Sequence, residues 1–216
     1  MSSTEAPRIE PVATLPARTK RCAAFERDLT PGKVLARAAQ IVDFHLEADR
    51  VSEALTYYRL IIRDYPATEE AFDAVLATNL RAAMFLAQEA AKRQKRGGKQ
   101  VHLLSVRAQL GVRGRGYSAY CASKGGLVML VKQHASELGA RGICVNGVAP
   151  TVVRTEMGAH WLKNPKTRAW LRERIPLGRV AEPGDVAGAV LFFCSPASDF
   201  VTGQILYVDG GITASQ

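Results

Sequence analysis

From Gly32 onward the apolar positions of the chain fall into two periods. Val34, Leu35, Ala38, Ile41, Val42 and Leu46 recur three and four residues apart, as do Val51, Leu55, Tyr58 and Ile62, which predicts amphipathic helices near 33–48 and 50–63. Pro66 breaks the chain. Thr68, followed by Glu69, Glu70 and Asp73, then supplies an N-cap and an acidic first turn for a long helix, with room for a kink, that runs to about Arg96. Downstream, short apolar runs bounded by Gly, Pro or Asp predict strands near 100–105, 143–149 and 204–208. Helical stretches at 118–138 and 183–193 and a less regular segment at 156–178 lie between them. Short apolar strands separated by helices imply an α/β fold with a parallel sheet covered on its faces. In such a sheet the functional residues sit beyond the C-terminal ends of the strands, here near Ser105, Pro150 and Asp209.

Composition narrows the classes without choosing among them. The 216 residues are 47% hydrophobic and 23% charged, enough apolar material for one core. No apolar run approaches the ~18 residues a membrane span needs, and the first twenty residues lack the apolar centre of a secretory signal, so a cytoplasmic protein without a membrane partner is expected. The net charge is +9, with basic against acidic residues 16 to 13 over residues 1–99 and 13 to 7 over 100–216. The one tight basic cluster, Lys92, Arg93, Lys95, Arg96 and Lys99, ends a predicted helix, where cations are favoured without any partner. Nucleic acid is therefore not the expected partner, and no aromatic residue interrupts the cluster to stack on bases. Cys22, Cys121, Cys144 and Cys194 lack zinc or redox spacing; they read as buried thiols, and no metal is expected.

The candidate chemistry lies at Tyr120 and Lys124, four apart on a helix that starts shortly after a strand ending at Ser105. A hydroxyl, a phenol and an ammonium around one crevice suit acid–base chemistry on a carbonyl or alcohol, and a nearby ammonium lowers a phenol's pKa. A bland reading competes: a tyrosine on an amphipathic helix is often a packing residue with a wet hydroxyl. Tyr117 has Cys121 four residues on, not a lysine; Asp209, Gly210 and Gly211 read as turn chemistry, and Lys163 and Lys166 as solvated residues of a lid.

The runs Tyr120-Cys121-Ala122-Ser123-Lys124-Gly125-Gly126, Gly142-Ile143-Cys144-Val145-Asn146-Gly147-Val148-Ala149-Pro150, Thr155-Glu156-Met157, Val201-Thr202-Gly203-Gln204 and Val208-Asp209-Gly210-Gly211 together resemble the short-chain dehydrogenase/reductase family. The resemblance covers about residues 61–214. It implies an incomplete Rossmann-like sheet and an NAD(P)-dependent oxidoreductase acting on a ketone or secondary alcohol. By the same resemblance Tyr120 is the acid/base, Lys124 lowers the Tyr120 pKa and holds the nicotinamide ribose, Ser105 holds the substrate oxygen, and Asn79 supports a water-linked proton relay through Lys124. Ser105 stands two residues further from Tyr120 than the family's usual spacing. Pro150, Val153 and Thr155 match the segment that touches the nicotinamide carboxamide, with Thr151 in place of the usual glycine. NAD and NADP are not distinguished. The family also associates through the helices bearing Asn79 and Tyr120 and through the C-terminal strand, so a homo-oligomer, or association with full-length relatives, is expected.

Residues 1–66 do not continue the pattern. Gly32 is the only glycine before Gly97, so neither GxGxxG nor GxxxGxG is present, and Leu55-Thr56-Tyr57-Tyr58-Arg59-Leu60 stands where the family has Asn-Asn-Ala-Gly. Three strand–helix crossovers of about 30 residues each would need roughly 90 residues before Thr68, and 67 are present. The expected organisation is an irregular leader over 1–31, an atypical helical segment over 32–66 and a Rossmann-like catalytic half over 67–216. The alternative function is a remnant or assembly subunit that does not bind the dinucleotide.

Overall fold

The computed structural model describes residues 69–112 and 116–215, so the predicted leader and the helices at 33–48 and 50–63 lie outside the described residues. Three parallel strands, β1 (Lys99–Leu103), β2 (Cys144–Pro150) and β3 (Ile205–Val208), form one sheet in that order. The register pairs His102 with Gly147 and Ala149 with Tyr207. Parallel neighbours must be joined by crossovers, and the chain supplies them as helices. Helix α1 (Glu69–Leu76) and α2 (Ala82–Arg93) precede β1; α3 (Ser118–Leu138) joins β1 to β2; α4 (Glu156–Lys163), α5 (Pro165–Arg174) and α6 (Pro183–Cys194) join β2 to β3.

Side chains alternate across the sheet. Val145 and Ala149 of β2 turn to α3, where they meet Leu104, Leu127, Val131, Ala135 and Ile143 in the larger core cluster. Gly147 belongs to the same face, and a Cβ there would displace the terminal methyls of Leu104 and Ile205 that cover the strand. The opposite face carries Asn146, whose amide donates 2.7 Å to the Val201 carbonyl and whose oxygen accepts from the Gln204 N–H at 3.0 Å, fastening β2 to the segment that leads into β3. A second cluster, with Val106, Leu171, Ile175 and Ile212, anchors α5 against the C-terminal turn.

Two local outcomes differ from the sequence expectations. The long helix predicted from Thr68 is interrupted by one wider π turn at Ala77–Arg81 and ends at Arg93. The segment 156–178 holds two helices, because Thr155 caps α4 through the Gly158 N–H and Asn164 caps α5 through the N–H groups of Lys166 and Thr167, with Pro165 at the first helical position. Its Lys- and Arg-rich polarity hides the apolar period that would have revealed them. The cysteines correct another expectation: Cys121 and Cys144 are half-buried and Cys194 is exposed, all as free thiols. No helix among the described residues is long and apolar enough to cross a membrane, and no group of three or more metal-ligating side chains occurs among them.

Candidate active site

Ser105 follows β1, Thr151 follows β2 and Tyr120 stands in the first turn of α3, so three elements meet at the C-terminal end of the sheet. Ser105 is extended and buried; its Oγ accepts from the Arg107 N–H at 3.2 Å and caps a short turn over Val106–Ala108. Its hydroxyl is also near enough to the Tyr120 phenol to draw the phenol's pKa down. The two extra residues in the connecting loop therefore do not separate the pair.

Tyr120 departs from the electrostatic expectation. Burial pushes its phenol above the ordinary tyrosine value, and the groups that pull it back are the Ser105 hydrogen bond and the Arg107 charge. The Lys124 ammonium sits over the Tyr120 ring, 5.8 Å from its centroid, and donates 2.9 Å to the carbonyl of Leu103, the last residue of β1. The strand end thus fixes where the ammonium stands relative to the ring. Burial in turn pushes the Lys124 ammonium below its usual value. Tyr117, discounted for its spacing, packs edge-on against Tyr120 with ring centroids 6.0 Å apart.

Asn79 lies in the π turn, a kind of helix defect that recurs at functional sites. Its amide donates 3.1 Å to the Ser123 hydroxyl, which donates 2.7 Å to the Tyr120 carbonyl. Ser123 is fully buried. Asn79 therefore bonds a residue 44 positions away and is tied through Ser123 to the backbone of the Tyr120 turn. Gly126 allows the approach: a Cβ there would stand 3.0 Å from the Leu80 side chain.

The segment after β2 is built from backbone pairing. The Thr151 N–H reaches the Val208 carbonyl at 3.3 Å, Val153 bridges to Ala181, and the Thr155 N–H donates 2.8 Å to the Val153 carbonyl. The Thr151 hydroxyl is buried and has no hydrogen-bond partner among the described residues. A Cβ at Gly158 would collide with the Val153 carbonyl oxygen, so the turn that carries Val153 and Thr155 needs that glycine. Asp209 behaves as a turn residue, accepting from the Gly211 and Thr213 N–H groups while Gly210 and Gly211 take φ of +64° and +93°.

Sequence reasoning missed the wall beside this centre. A cavity of about 750 Å³ opens between the loop after β1 and helix α5, lined by Arg107, Leu110, Val112, Lys166, Trp170 and Arg174 among others. Lys166, expected as a solvated lid residue, is part of it. The signal that could have found these residues is the four-residue spacing of Lys166, Trp170 and Arg174, which places them on one helical stripe.

Tyr120, Lys124 and the buried Thr151 hydroxyl offer polar groups that fit the nicotinamide end of a dinucleotide. The stretch 1–66, which carries no glycine-rich motif, lies outside the described residues.

Residues 20–213 match the family described as Enoyl-(Acyl carrier protein) reductase, a match that begins upstream of the resemblance read from the motifs. An uncharacterised oxidoreductase of Mycobacterium tuberculosis is 45% identical over 160 residues, covering 69% of this chain and 58% of the relative. A 3-oxoacyl-[acyl-carrier-protein] reductase of Rickettsia felis is 39% identical over 147 residues, covering 67% and 59%. Among solved structures, a gluconate 5-dehydrogenase from Burkholderia cenocepacia in complex with NADP and tartrate superposes with a TM-score of 0.64 at 32% identity, covering 69% of this chain and 58% of that one. The chain thus spans less than three fifths of the length of each of these relatives.

Proposed function

This chain belongs to the short-chain dehydrogenase/reductase family, and we propose that it is an NAD(P)-dependent oxidoreductase that interconverts a ketone and a secondary alcohol with Tyr120 as the acid/base. The observation that carries the reading is the Lys124 ammonium held over the Tyr120 ring and on the Leu103 carbonyl, with the Ser105 hydroxyl and the Arg107 charge acting on the same phenol at the strand ends. A reduced nicotinamide, when bound, would supply the hydride. Ser105 holds the carbonyl oxygen through its hydroxyl, which is already fixed by the Arg107 N–H. Tyr120 gives its proton to that oxygen as the carbonyl is reduced. With its pKa above the ordinary value, the phenol is protonated at neutral pH, the state a general acid for ketone reduction requires. Lys124, Pro150, the Val153 backbone, Thr155 and the Thr151 hydroxyl border the place where the nicotinamide and its ribose would lie, while Asn79 and Ser123 hold the Tyr120 turn.

Exposed apolar side chains favour a companion reading, association with a second copy or with longer relatives. Phe85 and Leu86 on α2 and Met129 on α3 are 56%, 70% and 61% exposed on the helices through which the family associates. The decisive experiment titrates the purified chain with NADH and NADPH by nicotinamide fluorescence and follows ketone-dependent loss of the reduced cofactor. Saturable binding with turnover that falls about 10²-fold or more in Tyr120→Phe supports the oxidoreductase. No binding at millimolar cofactor, with a stable oligomer in sedimentation, supports the assembly subunit.

A further inference from the structure

The cavity between the loop after β1 and helix α5 gathers positive charge from two separate elements. Arg107 comes from the turn after β1, and its guanidinium donates 3.2 Å and 3.0 Å to the carbonyls of Leu110 and Gly111, which pins it to the loop. Lys166 and Arg174 come from α5, where the spacing of four that they share with Trp170 puts all three along one face. The Arg174 guanidinium lies 5.4 Å from the Trp170 ring centroid, so the aromatic face holds it in place. Arg174 is near enough to disfavour the Arg107 charge. Among the described residues no carboxylate lines the cavity to offset them, and none of the three cations is in an ion pair. The sequence explains the imbalance: no Asp or Glu occurs between Glu89 and Glu137, and Glu173 is next to Arg174 in sequence, so it faces a different direction on the helix. The other basic side chains of α5 contrast with these. Arg168 is engaged on the Leu162 carbonyl at 2.7 Å, and Arg172 is not part of the cavity wall.

Like charges collected at a concave, partly apolar surface without a counter-charge are costly to fold and become favourable when an anion arrives. We propose that the cavity is an anion seat, and that the substrate is a ketone or secondary alcohol bearing a carboxylate or phosphate held by Lys166, Arg174 and Arg107. Leu110, Val112 and Trp170 then cover its carbon skeleton. The direction of the carbonyl toward Tyr120 rests on the oxidoreductase reading above; the anion seat does not.

The test is binding without turnover. The chain has two tryptophans, so a Trp161→Phe background leaves Trp170 in the cavity wall as the sole indole reporter. Succinate, inorganic phosphate and the neutral butane-2,3-diol are titrated separately, with calorimetry on the unmodified chain as the second readout should Trp161→Phe fail to fold. The expected result is saturable binding of an anion, weakened about tenfold or more in Lys166→Gln/Arg174→Gln and by added salt, with none for the diol. Both substituted residues are exposed, so the variant should fold. Tighter binding of succinate identifies a carboxylate substrate, and tighter binding of phosphate a phosphorylated one. Diol binding as tight as that of the anions, no saturable binding of either anion, or anion binding unchanged in the double variant overturns the anion seat. Anion binding that survives while ketone turnover is absent with every cofactor overturns the oxidoreductase reading and leaves the seat standing.

Discussion

Removing the Asn79 and Ser123 side chains separately and together tests whether Asn79 anchors the Tyr120 turn. In Asn79→Ala the Ser123 hydroxyl loses the amide that donates to it at 3.1 Å but keeps its own bond to the Tyr120 carbonyl at 2.7 Å. One neutral hydrogen bond is lost, worth about 1 kcal/mol net. In Ser123→Ala both bonds go, and the fully buried site leaves the Asn79 amide without its acceptor, for a cost of about 2 kcal/mol. Because the Asn79–Ser123 bond is counted in both single changes, the double variant should cost about 1 kcal/mol less than their sum. Urea unfolding of the four proteins measures the coupling, with an unchanged m-value confirming that the denatured state is the same. Strict additivity would refute the anchoring role. Activity provides the second readout: an anchor predicts that Asn79→Ala and Ser123→Ala lower turnover together through Tyr120, whereas a relay through Lys124 predicts a loss for Asn79→Ala alone.

Three further outcomes are expected. His102 on β1 faces the buried His134 with ring centroids 6.4 Å apart, and burial followed by the His134 charge lowers the His102 pKa from 6.5 to about 4. The unfolded chain therefore takes up the proton first as pH falls, so stability is constant above about 6.5 and declines between there and about 4, by at most about 3 kcal/mol. His102→Gln should flatten that decline in urea midpoints measured across the window, and an unaltered slope would rule out His102 as its source. Since the Tyr120 phenol titrates above its ordinary value, ketone reduction should hold steady through neutral pH while alcohol oxidation climbs with pH, as the phenolate needed to take up the proton accumulates; an oxidation rate flat to high pH contradicts this. Gly158→Ala should cost about 1–3 kcal/mol in urea and weaken nicotinamide binding, because the added methyl displaces the Val153 carbonyl; wild-type values for both would show that the turn relaxes freely.

The strands and helix α3 were legible because their information is local: an apolar run ended by Pro150, or a helical period ended by Gly139 and Gly142, needs no distant partner to be read. The motifs around Tyr120 and Pro150 were legible in the same way, and so was the family. The sequence by itself thus determined the parallel α/β plan and the residues placed at the strand ends. Only the tertiary structure decided their electrostatics. Where the Lys124 ammonium stands over Tyr120 depends on its tether, the Leu103 carbonyl, which no local pattern predicts. Asn79 and Ser123, 44 positions apart, meet because a π turn and Gly126 bring two helices together. Arg107, Lys166 and Arg174 share one cavity because the loop after β1 and helix α5 close on the same strand ends. Periodicity says which face of an element is apolar; which charges from different elements converge is set by how those faces pack, and that convergence makes the cavity cationic.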